Sequence, residues 1–319
     1  MTPNLAHVRW YTDGPAEVVW EFVADPVTVT LLLVAVVIAV AWVVLGGRLP
    51  RPEITALHPL GRLAPWIPRL VAIHLGVSLL SLAVANEYLA PGLGLDDVPG
   101  GWAIAFGQGV VGVWLITGVA LRPAAVGVVA LGPLGLVLAG PLPVLEAVDL
   151  LGLAAFLLVL PPGRDAHGAS GLDPATVHRA VLLLRVGLGV SLIVLAFSEK
   201  LLVPDLAREL LGERPGLDPL QAIGLTGDPD LFIRVASAVE LLLGLLILAG
   251  VAPQLLVLIA AVPFNLTLAF FDRFELIGHL PIYGALLAVL VYGSHPATAD
   301  AVPTRSPRRR PPASETPDP

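Results

Sequence analysis

A single lysine stands beside a glutamate where a long apolar run ends, in "LAFSEKLLVPD" at 195–205. Lys200 is the only Lys of the chain; the other seventeen basic residues are Arg. The next apolar run carries a carboxyl group at Glu240, and the last one opens with Glu275, His279 and Tyr283 at i, i+4 and i+8. An amine, a carboxyl and an imidazole at membrane depth are the parts of a proton relay, because each can hold a proton and none is cheap to leave charged and alone in lipid. Asn265 and Asp272 share one face of the intervening helix. The candidate catalytic set is therefore Lys200, Glu240 and His279, with Glu199, Asn265, Asp272 and Tyr283 as candidate walls of a ligand pocket. A plainer arrangement uses the same residues. Lys200 and Glu199 then snorkel to the interface, Glu240 is a neutral acid hydrogen-bonded across helices, and His279 is a solvated interface group.

The elements that must position these residues are apolar helices. Hydrophobic residues make up 56 % of the 319 and charged residues 13 %, and mean hydropathy is +0.86. Ordinary soluble domains hold about 45–50 % and about 25 %. The apolar residues fall in nine runs, at about 27–46, 67–86, 102–121, 123–140, 142–160, 178–200, 229–250, 253–271 and 276–293. A bilayer core of about 30 Å takes roughly 20 residues at 1.5 Å each, so the expectation is a nine-helix, all-α, multi-pass membrane protein. Asp228, Pro229 and Gly250 mark the start and stop of the seventh run. If that helix starts at Pro229, Glu240 lies ~16 Å down, near the middle of the core. The net charge of −7 describes the loops and says little about nucleic acid, which is not among the expected partners. With no Cys, disulfides, thiolate chemistry and iron–sulfur clusters are excluded.

Arg and Lys set the expected orientation. With the N-terminus outside and the C-terminus inside, twelve basic residues fall inside and six outside. The first 26 residues carry four acids and one Arg, the reverse of a signal peptide, so the first run reads as a retained helix. The organisation is then an outer segment at 1–26, a leading helix at 27–46 and a basic cytoplasmic loop at 47–66. A first four-helix unit comes next at 67–160, then a linker at 161–177, a second unit at 178–293 and a disordered cytoplasmic tail at 294–319. "DLARELL", between Asp205 and Gly212, reads as a small amphipathic helix on the outer face.

The two units are copies. "GVWLITGVALRPAAVGVVAL" from Gly112 resembles "GLLILAGVAPQLLVLIAAV" from Gly244, and the same offset of 132 residues sets Gly152 on Gly284. "GVSLLSLAVANEYL" from Gly76 likewise resembles "GVSLIVLAFSEKLL" from Gly189. Each copy starts on the same side, so the repeats are parallel, and each is expected to close its own antiparallel bundle. Glu240 then falls on Gln108, His279 on Ala147, Lys200 on Tyr88 and Glu199 on Glu87. The second copy thus keeps more of the polar set, while Glu146 and Asp149 of the first face Gly278 and Pro281.

A helix ending "FSEKL", the outer "LQAIGLTGDPDLF", then "VELLLGLLILAG" and a closing helix pair resemble the DoxX family of small four-helix membrane proteins. The resemblance covers about 180–293 directly and 67–160 through the repeat. It implies a quinone-linked redox setting, as in a thiosulfate:quinone oxidoreductase component, with Lys200 and Glu240 in the family's Lys and Glu positions. The chain departs from the family in its length, its leading helix, and Ser198–Glu199 where a Gly-containing pair is common.

Three functional classes are compatible with these features. The first is a subunit supporting quinone-linked redox or proton transfer in a bacterial cytoplasmic membrane, with no intrinsic cofactor, no metal, and membrane or outer-face protein partners. The second is a non-catalytic scaffold for partner helices or lipid. The third is a small-solute transporter, disfavoured by parallel repeats and helices that read as unbroken.

Overall fold

The computed structural model describes residues 17–160, 172–218, 228–268, 271 and 273–303; of 215, 273 and 274 only the backbone is described. These residues form helices and no strand, apart from an isolated bridge between Glu87 and Gly94. A short helix α1 (Trp20–Ala24) precedes α2 (Pro26–Gly46), whose first turn is capped by the Asp25 carboxylate accepting the Val27 and Thr28 N–H groups. A 3₁₀ stretch, Thr55–Trp66, leads into α3 (Ile67–Val84), α4 (Gly101–Thr117), α5 (Leu121–Ala139), α6 (Pro141–Glu146) and α7 (Val148–Val159). The second quartet is α8 (Pro174–Leu195) with a π turn at Ala196–Leu201, then α10 (Pro229–Ala249), α11 (Pro253–Leu268) and α12 (Arg273–Ser294). The small helix α9 (Pro204–Glu213) lies between α8 and α10. Asp228 caps α10 through the Asp230 N–H, with Pro229 next and Gly250 left-handed after its last turn.

Among the described residues each of the nine apolar runs holds helix, and six helices are long and apolar enough to cross a membrane. Gly101–Thr117, Val148–Val159 and Pro253–Leu268 are apolar but shorter. The fifth run is broken at Ala147, which separates α6 from α7.

Glycine contacts carry the internal repeat into three dimensions. A Cβ on Gly76 would lie 2.6 Å from the Gly112 carbonyl oxygen, and one on Gly189 would lie 2.8 Å from that of Gly244. These are the same helix crossing made twice, since Gly76 corresponds to Gly189 and Gly112 to Gly244. The matched pair Gly152 and Gly284 makes the crossings between copies: Gly152 meets Gly187 on α8, and Gly284 meets His74 on α3. Correspondingly, Ser78 donates to the Ile277 carbonyl at 2.9 Å and Ser191 to that of Glu146. The expected self-contained bundles are therefore interlocked. The closing helix of each quartet, α7 or α12, lies chiefly on the opening helix of the other, α8 or α3. A bundle could close on itself equally well by pattern alone; the glycines at 152 and 187 make the exchanged crossing the closer one.

At the end of the bundle away from Lys200, Arg185 is fully buried rather than in a loop. Its Nε donates to the Ile247 carbonyl at 2.8 Å and its NH2 to that of Leu248 at 2.5 Å, closing the α10 C-terminus. Its NH1 donates to the Val302 carbonyl. His178 Nδ1 lies 2.8 Å from the Ala301 carbonyl, and Thr298 is fully buried. Residues 295–303 are consequently packed, where a disordered tail from 294 was expected; the rest of that tail lies outside the described residues. Arg185→Met is expected to lower stability by about 1.5–3 kcal/mol, the usual range for a charged hydrogen-bonding group. It should also expose the 295–303 segment to protease, and Arg185→Lys should rescue only in part because an ammonium lacks the planar fork.

The leading helix α2 is not separate from the quartets: it lies along α10, and Trp42 Nε1 donates to the Val251 carbonyl at 2.9 Å. The loop after it is pinned by Gln254, whose N–H donates to Glu53 Oε2 at 3.0 Å while its Oε1 accepts the Ile54 N–H at 2.6 Å. Burial holds the Glu53 carboxyl above its ordinary 4.5, with the Gln254 N–H pulling it back. The folded chain therefore binds that proton more tightly than the unfolded chain. This contribution to stability is full below pH 4.5 and is lost as pH rises through the folded value. Glu53→Gln should flatten that part of a stability–pH profile measured by thermal unfolding.

Candidate functional site

In antiparallel helices each side chain leans toward its own N-terminus, so facing side chains lean toward one another. Taking Gly189 and Gly244 as level, Lys200 and Glu240 have backbones ~10 Å apart along the axis. The lysine stem leans back down α8 and the glutamate leans up α10, and together they close the gap. Lys200 Nζ donates to Glu240 Oε2 at 2.7 Å, and lies 3.7 Å from Glu199 Oε2. Glu199 is fully buried, and the Lys200 and Glu240 side chains are each 19 % exposed. The π turn Ala196–Leu201 holds this arrangement, with the Leu202 N–H donating to the Phe197 carbonyl at 2.8 Å. Such a turn adds a residue to the helical circuit and re-aims the side chains beyond it, which is why it recurs at functional sites. Sequence spacing gives no sign of it.

The first copy makes the same tie without charge. Gln108, in the position of Glu240, is fully buried; its Nε2 donates to the Glu87 and Leu79 carbonyls and its Oε1 accepts the Leu89 N–H at 2.9 Å. Counted without a gap from the glycine pair, Lys200 falls on Glu87, so the expected match to Tyr88 shifts by one residue. The equivalent contacts are then Lys200 with Glu240 and the Glu87 carbonyl with Gln108.

His279 is 4 % exposed, not a solvated interface group. The expected stripe is intact, because α12 begins at Arg273 and runs through Pro281: His279 Nδ1 lies 3.3 Å from Glu275 Oε1. The ring meets Phe264 edge-on at 5.2 Å. Tyr283 turns its hydroxyl to the Phe264 carbonyl at 2.9 Å. Asn265 does not join the group: it is exposed and donates to the Ala261 carbonyl, one turn back on its own helix. Asp272 lies outside the described residues.

His279 also lines a cleft of about 60 Å³ between the quartets, which Glu146, Asp149 and Ser191 line as well. Lys200 and Glu240 do not line it. The site therefore divides into a buried trio, Glu199–Lys200–Glu240, and a cleft group that includes His279. Glu146 and Asp149 are both buried. Their alignment beside His279, on Gly278 and Pro281, was the available signal. The expectation of unbroken helices also fails here, at the Ala147 break and at the π turn.

The trio is roofed by α9 and α1. Helix α9 starts at Pro204, one residue before Asp205, without a side-chain cap, and runs past Gly212 to Glu213; it buries Leu206, Ala207, Leu210 and Leu211. Arg208 bridges Asp230 at 2.6 Å and Asp205 at 2.5 Å. Phe22 lies against Leu201 and Ile233, beneath the guanidinium groups of Arg208 and Arg234 at 5.4 and 4.5 Å. Phe22→Ala should loosen this roof by about 3 kcal/mol, read as faster hydrogen exchange of α9. Among the described residues, no group of three or more His, Asp or Glu is placed to hold a metal ion.

Comparison with known proteins returns no match to this chain, whether by protein family, by curated sequence or by solved structure.

Proposed function

We propose that this chain is a DoxX-like subunit of a bacterial cytoplasmic membrane complex, with its N-terminus outside and its C-terminus inside, and that its second quartet holds and passes a proton in support of quinone-linked redox chemistry. The observation that carries this reading is Lys200 Nζ set between two carboxyls, at 2.7 Å from Glu240 and 3.7 Å from Glu199. A lone ionised acid at bilayer depth costs about 2.5–3.5 kcal/mol on insertion scales. Two acids and one amine are neutral only when the carboxyls share one proton, and that proton is the mobile one. His279 is the next group able to accept it. The cleft of about 60 Å³ has room for water. A quinone carbonyl would meet the partly exposed Lys200 ammonium.

Infrared difference spectroscopy of the protein in lipid nanodiscs tests this directly. The wild type should show a protonated-carboxyl band at neutral pH that Glu240→Gln removes, set apart from any band of the buried Glu146, Asp149 and Glu275, and quinone and partner subunits should co-purify with it. A carboxyl spectrum unchanged in Glu240→Gln would remove the proton-holding role.

One observation favours a second reading, a non-catalytic scaffold: Gln108 makes the equivalent tie in the first copy with backbone groups alone. In that case Lys200 and Glu240 only fasten α8 to α10, and Glu240→Gln would keep every partner and any quinone.

A further inference from the structure

The geometry points to the cleft between the quartets as a hydrated chamber that admits small monovalent cations, hydronium among them, to His279. It rests on the proton-handling reading above and supplies that reading's entry from water. Part of the wall comes from matched positions of the two copies: 146, 147, 149 and 150 face 278, 279, 281 and 282, each pair separated by the same 132 residues. The rest comes from 89–91 and 93, Pro143, Ser191 and Leu195, so the cleft opens at the contact between the quartets. One copy presents carboxyls there and the other an imidazole.

The chamber meets the physical conditions for water. Its volume of about 60 Å³ exceeds what one molecule needs, and Glu146, Asp149 and His279 supply polar partners. The helix break at Ala147 opens the wall between α6 and α7, and Ser191 on α8 holds the Glu146 carbonyl at that break. The acids that face His279 are Glu275 on its own helix and Glu146 and Asp149 across the cleft. Once a carboxyl there is ionised, the cleft admits cations and repels anions. A hydronium entering gives its proton to that carboxylate or to the imidazole and leaves as water.

The chain has no native Cys, so single thiols report cleanly. Ala147→Cys in proteoliposomes of phosphatidylcholine and phosphatidylglycerol should react with methanethiosulfonate ethylammonium about tenfold faster than with the anionic ethylsulfonate reagent, each rate normalised to a free thiol. Asp149→Asn should shrink that ratio. Ala90→Cys, on the same cleft, gives a second reading should the first variant fold poorly, and exposed Asp97→Cys shows that both reagents reach the protein. Equal normalised rates, or no reaction at either cleft position while Asp97→Cys reacts, would overturn the chamber. The infrared carboxyl signal of the trio is independent of labelling, so either result can fail while the other stands.

Discussion

Lys200→Met is expected to destabilise the bundle by about 3–5 kcal/mol, the range for breaking a buried ion pair, and to do more damage than Glu240→Gln. The asymmetry stems from the two carboxyls around one amine. Removing the amine leaves both acids facing each other in apolar surroundings. Removing the Glu240 charge leaves Lys200 with Glu199 still 3.7 Å away. A Lys200→Met/Glu240→Leu double variant should recover part of the loss, because well-packed apolar groups can replace a buried pair at little cost. Thermal unfolding in one detergent across the four proteins measures the coupling. Equal losses from both single variants would mean that Glu199 contributes nothing to holding the ammonium.

The pair was legible because its parts are rare: one Lys in the chain, and one acid deep in the seventh apolar run. Charged residues are so scarce in these helices that type alone narrows the choice, and the lean of side chains toward each N-terminus does the rest. Helix positions were readable for a similar reason, from runs of apolar residues punctuated by Pro and Gly. Asp228, Pro229 and Gly250 act where they were expected to act. What the pattern did not reveal is how the helices pair. A leucine-rich face suits several neighbours, and only backbone closeness at Gly152 and Gly187 separates the exchanged crossing from a self-closed one. Arg185 was counted as a loop residue since Arg usually is; its burial depends on three carbonyls that converge from α10 and from residue 302. Asn265 shared a face with the expected site on paper, yet its amide bonds its own helix instead. The π turn changes the register of Glu199 and Lys200 by one residue, an effect with no signature in composition.

The exchanged crossing supplies the other large expected effect. At Gly152 a Cβ would lie 2.9 Å from the Gly187 Cα and 3.1 Å from the Leu183 and Leu184 carbonyl oxygens. Every one of those atoms is backbone, so no side chain can swing aside, and α7 and α8 must separate. Overpacking typically costs about 1–3 kcal/mol; with backbone on both sides, Gly152→Val should reach about 3. The matched change at Gly284 meets the His74 side chain, at 2.9 Å from Cβ and 3.3 Å from Cγ. Rotation of the imidazole relieves only the Cγ contact and leaves one fixed close atom, the His74 Cβ, against three backbone atoms at Gly152, so Gly284→Ala should cost less than Gly152→Ala. Gly132, with nothing within 4 Å, is the control, and Gly132→Ala should leave stability unchanged or raised, since Ala is the better helix former. Melting temperatures of the Ala series in one detergent give the order. Because α7 also carries Asp149 and the Ala147 break, forcing it off α8 should open the cleft, so Gly152→Val should speed thiol labelling at Ala90→Cys as it lowers stability. A stable Gly152→Val protein with unchanged labelling would mean that the two quartets are not held together at this crossing.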